Sequence, residues 1–298
     1  MASFSPTDAA LEGFRLTREH PRSVVMWAAC SLGFAYAVDL IAWLTLGPNR
    51  EALVQDFLKS ASDPNLFWPA AAKLAPFFLI GLPFNLAFQS IFTCAVYRAV
   101  LRPTESARGY LRLGVDELRM AALNVIFALI LAATLFAVGM VAALAGAAAA
   151  GAPSLVVLVG DLVTIAAFWA GVIVLLRLSL AGPMTFAERR LVVFDSWRLT
   201  RGIGLRLFWT YALAMLLGGF AFGLMLLIVF ALLAALAALG LPLEQAAEAG
   251  KGPVFLATSL VLEAVQAAML TCFYVVWKAP AAQAYKALAH PDVAGTFA

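Results

Sequence analysis

Residues 120–160 read MAALNVIFALILAATLFAVGMVAALAGAAAAGAPSLVVLVG, without one charged side chain. In water such a stretch has nothing polar to offer the solvent, whereas lipid solvates apolar side chains directly. A hydrocarbon core of about 30 Å takes about 20 helical residues at a rise of about 1.5 Å each. The stretch therefore holds one whole crossing and the start of a second, and the Gly151-Ala152-Pro153 step marks the turn between them.

The rest of the chain follows the same pattern. Of 298 residues, 64% are hydrophobic and only 12% charged, against about 25% charged in a soluble domain. Residues 207–243 are also free of charge. Apolar runs bounded by charge clusters or by Pro and Gly give six spans, at about 23–46, 74–98, 120–146, 154–178, 208–240 and 254–278. The expected fold is an all-α polytopic bundle in a single membrane domain. The fifth run is too long for an upright crossing, so it tilts or emerges on one side. Ala35-Tyr36-Ala37 resembles a signal-peptidase site, but the apolar run continues beyond it, which favours an uncleaved first span.

Sixteen of the twenty Lys and Arg fall before span one, between spans two and three, between four and five, or after six; only Arg50, Lys59, Lys73 and Lys251 lie on the other side. The positive-inside rule then places both termini in the cytoplasm of a multi-pass inner-membrane protein.

Two cytoplasmic segments share wording. Residues 13–18 read GFRLTR ahead of span one, and residues 196–202 read SWRLTRG ahead of span five. A looser copy, GYLRLGVDELR at 109–119, precedes span three. Arg98, Arg177 and Lys278 each precede a proline near the end of an even span. The chain thus divides into three units, about 10–103, 107–183 and 190–280, each an amphipathic interfacial helix followed by a two-helix hairpin. An aromatic and a Leu enter the interface while arginines reach water and anionic headgroups. Two readings stand side by side. The segments are topology anchors, or they hold membrane lipid or a protein partner through Arg15, Arg18, Arg112, Glu188, Trp197, Arg198 and Arg201.

Residues 177–183, RLSLAGP, with Glu188 and then DSWRLTRG at 195–202, resemble the signature of the glycerophosphoryl diester phosphodiesterase membrane-domain family and its stand-alone six-helix bacterial relatives of unknown function. The resemblance rests on about 30 residues and the six-span layout. It implies the membrane module alone, because the family's catalysis belongs to a separate soluble barrel with acidic and His metal ligands. This chain has two histidines, His20 and His290, near opposite ends.

Ionisable groups inside a bilayer are costly and mark function by default. Asp39 lies on span one, Asp161 on span four and Glu263 on span six, all in the outer half. Ser259, Glu263 and Gln266 fall on one face of span six, and Asn85, Gln89, Thr93 and Tyr97 on one face of span two. These residues, with Lys73 as a partner for an acidic group, would line a polar cavity open to the outer side. The plainer reading is that they hydrogen-bond between helices or reach the headgroups. Arg177, near the inner end of span four, is expected to snorkel. Pro76 and Pro83 in span two suggest a broken helix of the kind transporters use, or an ordinary kink. Gly219 and Gly223, and the Gly139, Ala143, Ala147, Gly151 series, allow close helix packing.

No Walker loop, dinucleotide turn, nucleophile elbow or His-Glu-x-x-His occurs. Cys30, Cys94 and Cys272 have no metal-ligand spacing and read as apolar packing. No catalytic residue, metal or cofactor is assigned, and no nucleic-acid partner. Asp116-Glu117 reads as solvated ion pairing with Arg112 and Arg119. The leading expectation is a non-enzymatic membrane module that organises lipid, docks a protein partner or forms a homo-oligomer. The alternatives are a small transporter using the acidic cavity, and an intramembrane lipid enzyme using Asp39, Asp161 or Glu263.

Overall fold

A computed structural model describes residues 5–60, 64–148, 153–239 and 252–289. Lys251, His290, Gly151 and the last residue of the fifth run lie outside them. All regular structure among the described residues is helical, and six helices are long and apolar enough to cross a membrane. The chain is a polytopic all-α membrane protein.

The first helix, α1 (Pro6–Glu19), begins at Ser5, whose hydroxyl accepts from the Asp8 amide at 3.3 Å, with Pro6 in the first turn. His20, forced out of helical geometry ahead of Pro21, separates it from α2 (Pro21–Leu46). There follow α3 (Arg50–Ser60), α4 (Pro64–Leu101), α5 (Val115–Ala148), α6 (Pro153–Leu178), α7 (Ala181–Glu188), α8 (Asp195–Leu199), α9 (Gly204–Ala238) and α10 (Pro253–Ala289). The three repeated segments take three local forms: the body of a 14-residue helix in α1, the short α8 with a turn after it, and a 3-10 turn (Ala107–Tyr110) leading into α5.

Two helices outrun their apolar sequence. α4 has 38 residues, about 57 Å, and begins ten residues before the expected span. It continues through Pro69, Pro76 and Pro83. Its extension packs against α3, with Phe57 and Phe67 rings 5.3 Å apart. α10 likewise runs past Pro280, which reads as a terminator in sequence.

The hairpins α2/α4, α5/α6 and α9/α10 are not side by side as equals. α2, α4 and α10 pack on one another at the centre; α5 lies against α4, α6 beyond it, and α9 and α1 against α10. Burial is concentrated at one end. It takes in Trp27 of α2, Ser90 and residues 92–100 of α4, Glu117, Met120 and Leu123 of α5, Leu207, Thr210, Ala214 and Gly218 of α9, and the inward face of α10 from Ala267 onward. This is the arginine-rich end. Beyond it, the described spans bury only Ala70 and Leu74, next to α3. Lipid solvates the remaining apolar halves, so they need no protein cover.

Close approach occurs at unexpected glycines. A Cβ at Gly13 of α1 would run into the Val276 backbone of α10, and one at Gly218 of α9 would meet Val276 Cγ1 at 3.2 Å. Around Gly139, Gly219 and Gly223 there is open space. The GxxxG spacing of α9 therefore meets no described residue, while its neighbour Gly218 does. Of the cysteines, Cys94 is buried, Cys272 half-buried and Cys30 exposed, so apolar packing inside the protein accounts for the first two only.

Candidate functional site

The three central helices converge at the arginine-rich end and separate above it. At the convergence, Trp27 Nε1 donates to the Gly109 carbonyl at 2.6 Å, and its ring meets Phe92 edge-on at 5.7 Å. Thr93 Oγ1 and Tyr274 Oη are 2.7 Å apart, and Thr271 Oγ1 donates to Ser31 Oγ at 3.0 Å. These contacts tie α2, α4 and α10 together and form a floor.

Above the floor lies a cavity of about 840 Å³, within the size range of small-molecule sites. Its walls are largely aromatic and aliphatic: Phe34, Phe88, Phe92, Leu270, Phe273 and Trp277 all contribute. Phe34 stacks on Phe88 with centroids 3.9 Å apart. Besides the Ser31, Thr271 and Tyr274 hydroxyls at the floor, its polar groups are Asp39 and Tyr36 from α2, Asn85 and Gln89 from α4, and Glu263 and Gln266 from α10. The Tyr36 phenol faces the Glu263 carboxylate. Asp39 is 3.8 Å from Arg50, whose guanidinium also donates to the Asp39 carbonyl at 3.3 Å. The cavity is therefore polarised along the helices, with carboxylates at the upper end and an aromatic floor at the lower. Glu263 lies ten residues into α10, about 15 Å below its start.

Five of the seven intramembrane candidates, Asp39, Asn85, Gln89, Glu263 and Gln266, thus meet in one place. Two do not. Asp161 is exposed on α6, and its neighbour Thr164 donates to the Gly160 carbonyl at 2.8 Å on its own helix. α6 packs against α5, away from the central trio. Lys73 is exposed on α4, three turns from Asn85, and Asp39, one of the three acidic groups it could have met, pairs with Arg50. Sequence reading missed the lower wall, because Phe92, Tyr274 and Trp277 are indistinguishable from ordinary apolar packing. Ser31 and Thr271, small hydroxyls inside apolar runs, were the available signal.

At the arginine-rich end, Glu117 is not solvated. Its side chain is 6% exposed and accepts from Arg98 Nη2 at 2.7 Å, with Arg98 itself 3% exposed. Arg98 also donates to the Tyr110 carbonyl. Asp116 takes Arg119 at 2.8 Å and Arg102 at 3.5 Å. Arg102 donates to the Phe186 carbonyl at 3.0 Å and lies 4.5 Å over the Phe186 ring. Arg112 pairs with Glu105 at 3.0 Å.

In the signature segment, Ser196 donates to the Arg177 carbonyl at 2.7 Å, and the Arg177 guanidinium lies 5.7 Å over the Trp197 ring. Arg177 is thus held by an aromatic neighbour. Glu188 pairs with Arg190 at 2.7 Å, while Arg198 and Arg201 stand exposed. Arg15 pairs with Glu12 across one turn of α1, and Arg18 is exposed.

The fold and cavity define a polytopic integral membrane protein with a polar-headed intramembrane pocket. No family model, curated protein or solved structure matches the chain.

Proposed function

We propose that this is a non-enzymatic binding protein of the bacterial inner membrane, with both termini cytoplasmic, whose central cavity takes an amphipathic ligand with a cationic head. The observation that carries the reading is the meeting of Asp39 and Glu263 above an aromatic floor in one cavity. Among the described residues Arg50 is the cation paired with them, so the two carboxylates leave a negative surplus there. A carboxylate in a bilayer calls for a cation or a proton. An aromatic wall suits the apolar body of such a ligand and adds attraction for a cation. The floor favours binding over passage, since transport would have to break the Trp27, Thr93 and Ser31 contacts together. The inside-positive distribution of arginines supports the orientation, and the 177–202 motif supports kinship with the phosphodiesterase membrane modules. The absence of a catalytic motif from the sequence supports a role without turnover.

The test is binding of tetraphenylphosphonium, an aromatic cation of fixed charge, to the purified protein in nanodiscs, with empty nanodiscs subtracted. Asp39→Asn with Glu263→Gln should weaken binding by about tenfold or more, about 1.4 kcal/mol per decade. Equal affinity in the double variant rejects the reading.

A second reading concerns the signature segment. Phe194, Trp197 and Leu205 are exposed beside exposed Arg198 and Arg201, an arrangement that suits an amphipathic contact with anionic lipid or a docked partner. Its check is a loss of affinity for anionic over neutral vesicles on Trp197→Ala with Arg201→Gln.

A further inference from the structure

A second concavity, about 380 Å³, opens at the arginine-rich end between the end of α4, the segment before α5 and the end of α7. Five arginines line it, Arg98, Arg102, Arg112, Arg119 and Arg189, against three carboxylates, Glu105, Asp116 and Glu117, so two positive charges are uncompensated. The carboxylates are already engaged by Arg98, Arg102, Arg112 and Arg119. Arg189 pairs with no described residue.

Arg98, 3% exposed, is spent within the cluster: its Nη2 holds Glu117 and its Nε lies 3.6 Å from Glu105. Two further features bear on an anion at the rim. The backbone of Gly114 and Val115, at the start of α5, forms part of the wall, and a helix N-terminus favours negative charge. Arg189 sits at φ 54°, a left-handed conformation uncommon for a residue with a Cβ; the turn that ends α7 brings its guanidinium to the rim.

We propose that this pocket binds a phosphate group at its rim, with Arg189 and Arg112 as its ligands. Two positive charges match a phosphate monoester, and arginine forks match its oxygens. The shared chemistry is phosphate, carried either by a lipid headgroup or by a soluble molecule.

The experiment uses the full chain in maltoside micelles, titrated separately with inorganic phosphate and with dihexanoyl phosphatidic acid, and read by native mass spectrometry and thermal shift. Arg189→Asn keeps a residue that tolerates the left-handed turn, and Arg112→Gln changes a partly exposed side chain. Neither touches the buried Arg98 pair. Each variant should weaken binding by about tenfold while melting like the wild type without ligand. Arg22→Gln, outside the pocket, should bind as the wild type does. Saturation by both ligands at similar affinity identifies a free phosphate site; preference for the lipid identifies a headgroup site. No saturable binding of either, or binding unchanged in both pocket variants, overturns the proposal.

Discussion

Arg98 of α4 and Glu117 of α5 form a buried ion pair at 2.7 Å, nineteen residues apart in sequence and sealed by the Tyr110 carbonyl and the Phe186 ring. Removing one partner leaves the other charged and desolvated, which typically costs about 3–5 kcal/mol. Glu117→Gln and Arg98→Met should each lower stability by that order, read from unfolding in mixed micelles with SDS. Arg98→Met with Glu117→Leu should cost less than either single change, because no orphan charge remains. A double variant worse than both singles would mean that the pair is a net source of stability rather than a specifier of how α4 meets α5.

Gly13 carries a different kind of constraint. α1 meets the Val276 backbone of α10 at this glycine, so Gly13→Ala must push the helices apart. Overpacking of this kind typically costs about 1–3 kcal/mol. Gly219→Ala and Gly223→Ala meet nothing and should be neutral, or stabilising by up to about 1 kcal/mol from helix propensity. Melting temperatures of the three variants in one detergent decide the matter: equal losses would show that the open faces of α9 are packed against another molecule.

This contrast shows what the sequence could reveal. Membrane spans follow from hydropathy, because one solvent property acts on some twenty residues at once. The gathering of Asp39, Asn85, Gln89, Glu263 and Gln266 was legible for the same reason: polar groups in apolar runs are few, and their faces follow from helical periodicity. Asp161 obeys the same local rules and lies elsewhere, since periodicity fixes a face but not the neighbour that it meets. Which glycine is packed, and that Glu117 is buried while Asp116 is partly exposed, depend on the relative placement of α1, α4, α5 and α10. No short window of sequence encodes that placement.

Glu12 gives the protein a pH dependence. It lies on the face of α1 turned toward α10, its side chain 7% exposed. Burial raises its carboxyl above the ordinary value of 4.5, with Arg15 and then Lys286 acting in the opposite direction. A raised carboxyl pKa means that the folded state holds its proton more tightly than the unfolded state does. This contribution is therefore fully present below the unfolded value and is lost as pH rises through the folded one. Glu12→Gln should be more stable than the wild type near pH 7. The difference should shrink toward pH 4, where the wild-type carboxyl is protonated. Melting curves from pH 4 to 7.5 provide the check, and a difference that grows on acidification would contradict the assignment.

Water must reach the carboxylate end of the cavity if a charged ligand is to enter there. In a background with Cys30, Cys94 and Cys272 replaced by Ala, single cysteines at positions 39 and 263 should react with a membrane-impermeant maleimide. The cysteine at 161, on the exposed face of α6 among Leu158, Leu162 and Ile165, should face hydrocarbon and stay protected. Bound tetraphenylphosphonium should slow labelling several-fold at a cysteine placed at position 266, which lines the cavity and leaves both carboxylates in place, and should leave a control cysteine at position 50 less affected, because Arg50 flanks Asp39 but does not line the cavity. Right-side-out and inverted vesicles then give the side of entry. Reaction only in right-side-out vesicles agrees with an outward opening over a sealed floor. Reaction only in inverted vesicles would reverse the orientation inferred from the arginines, and protection at both 39 and 263 in either preparation would remove the aqueous route that the ligand requires.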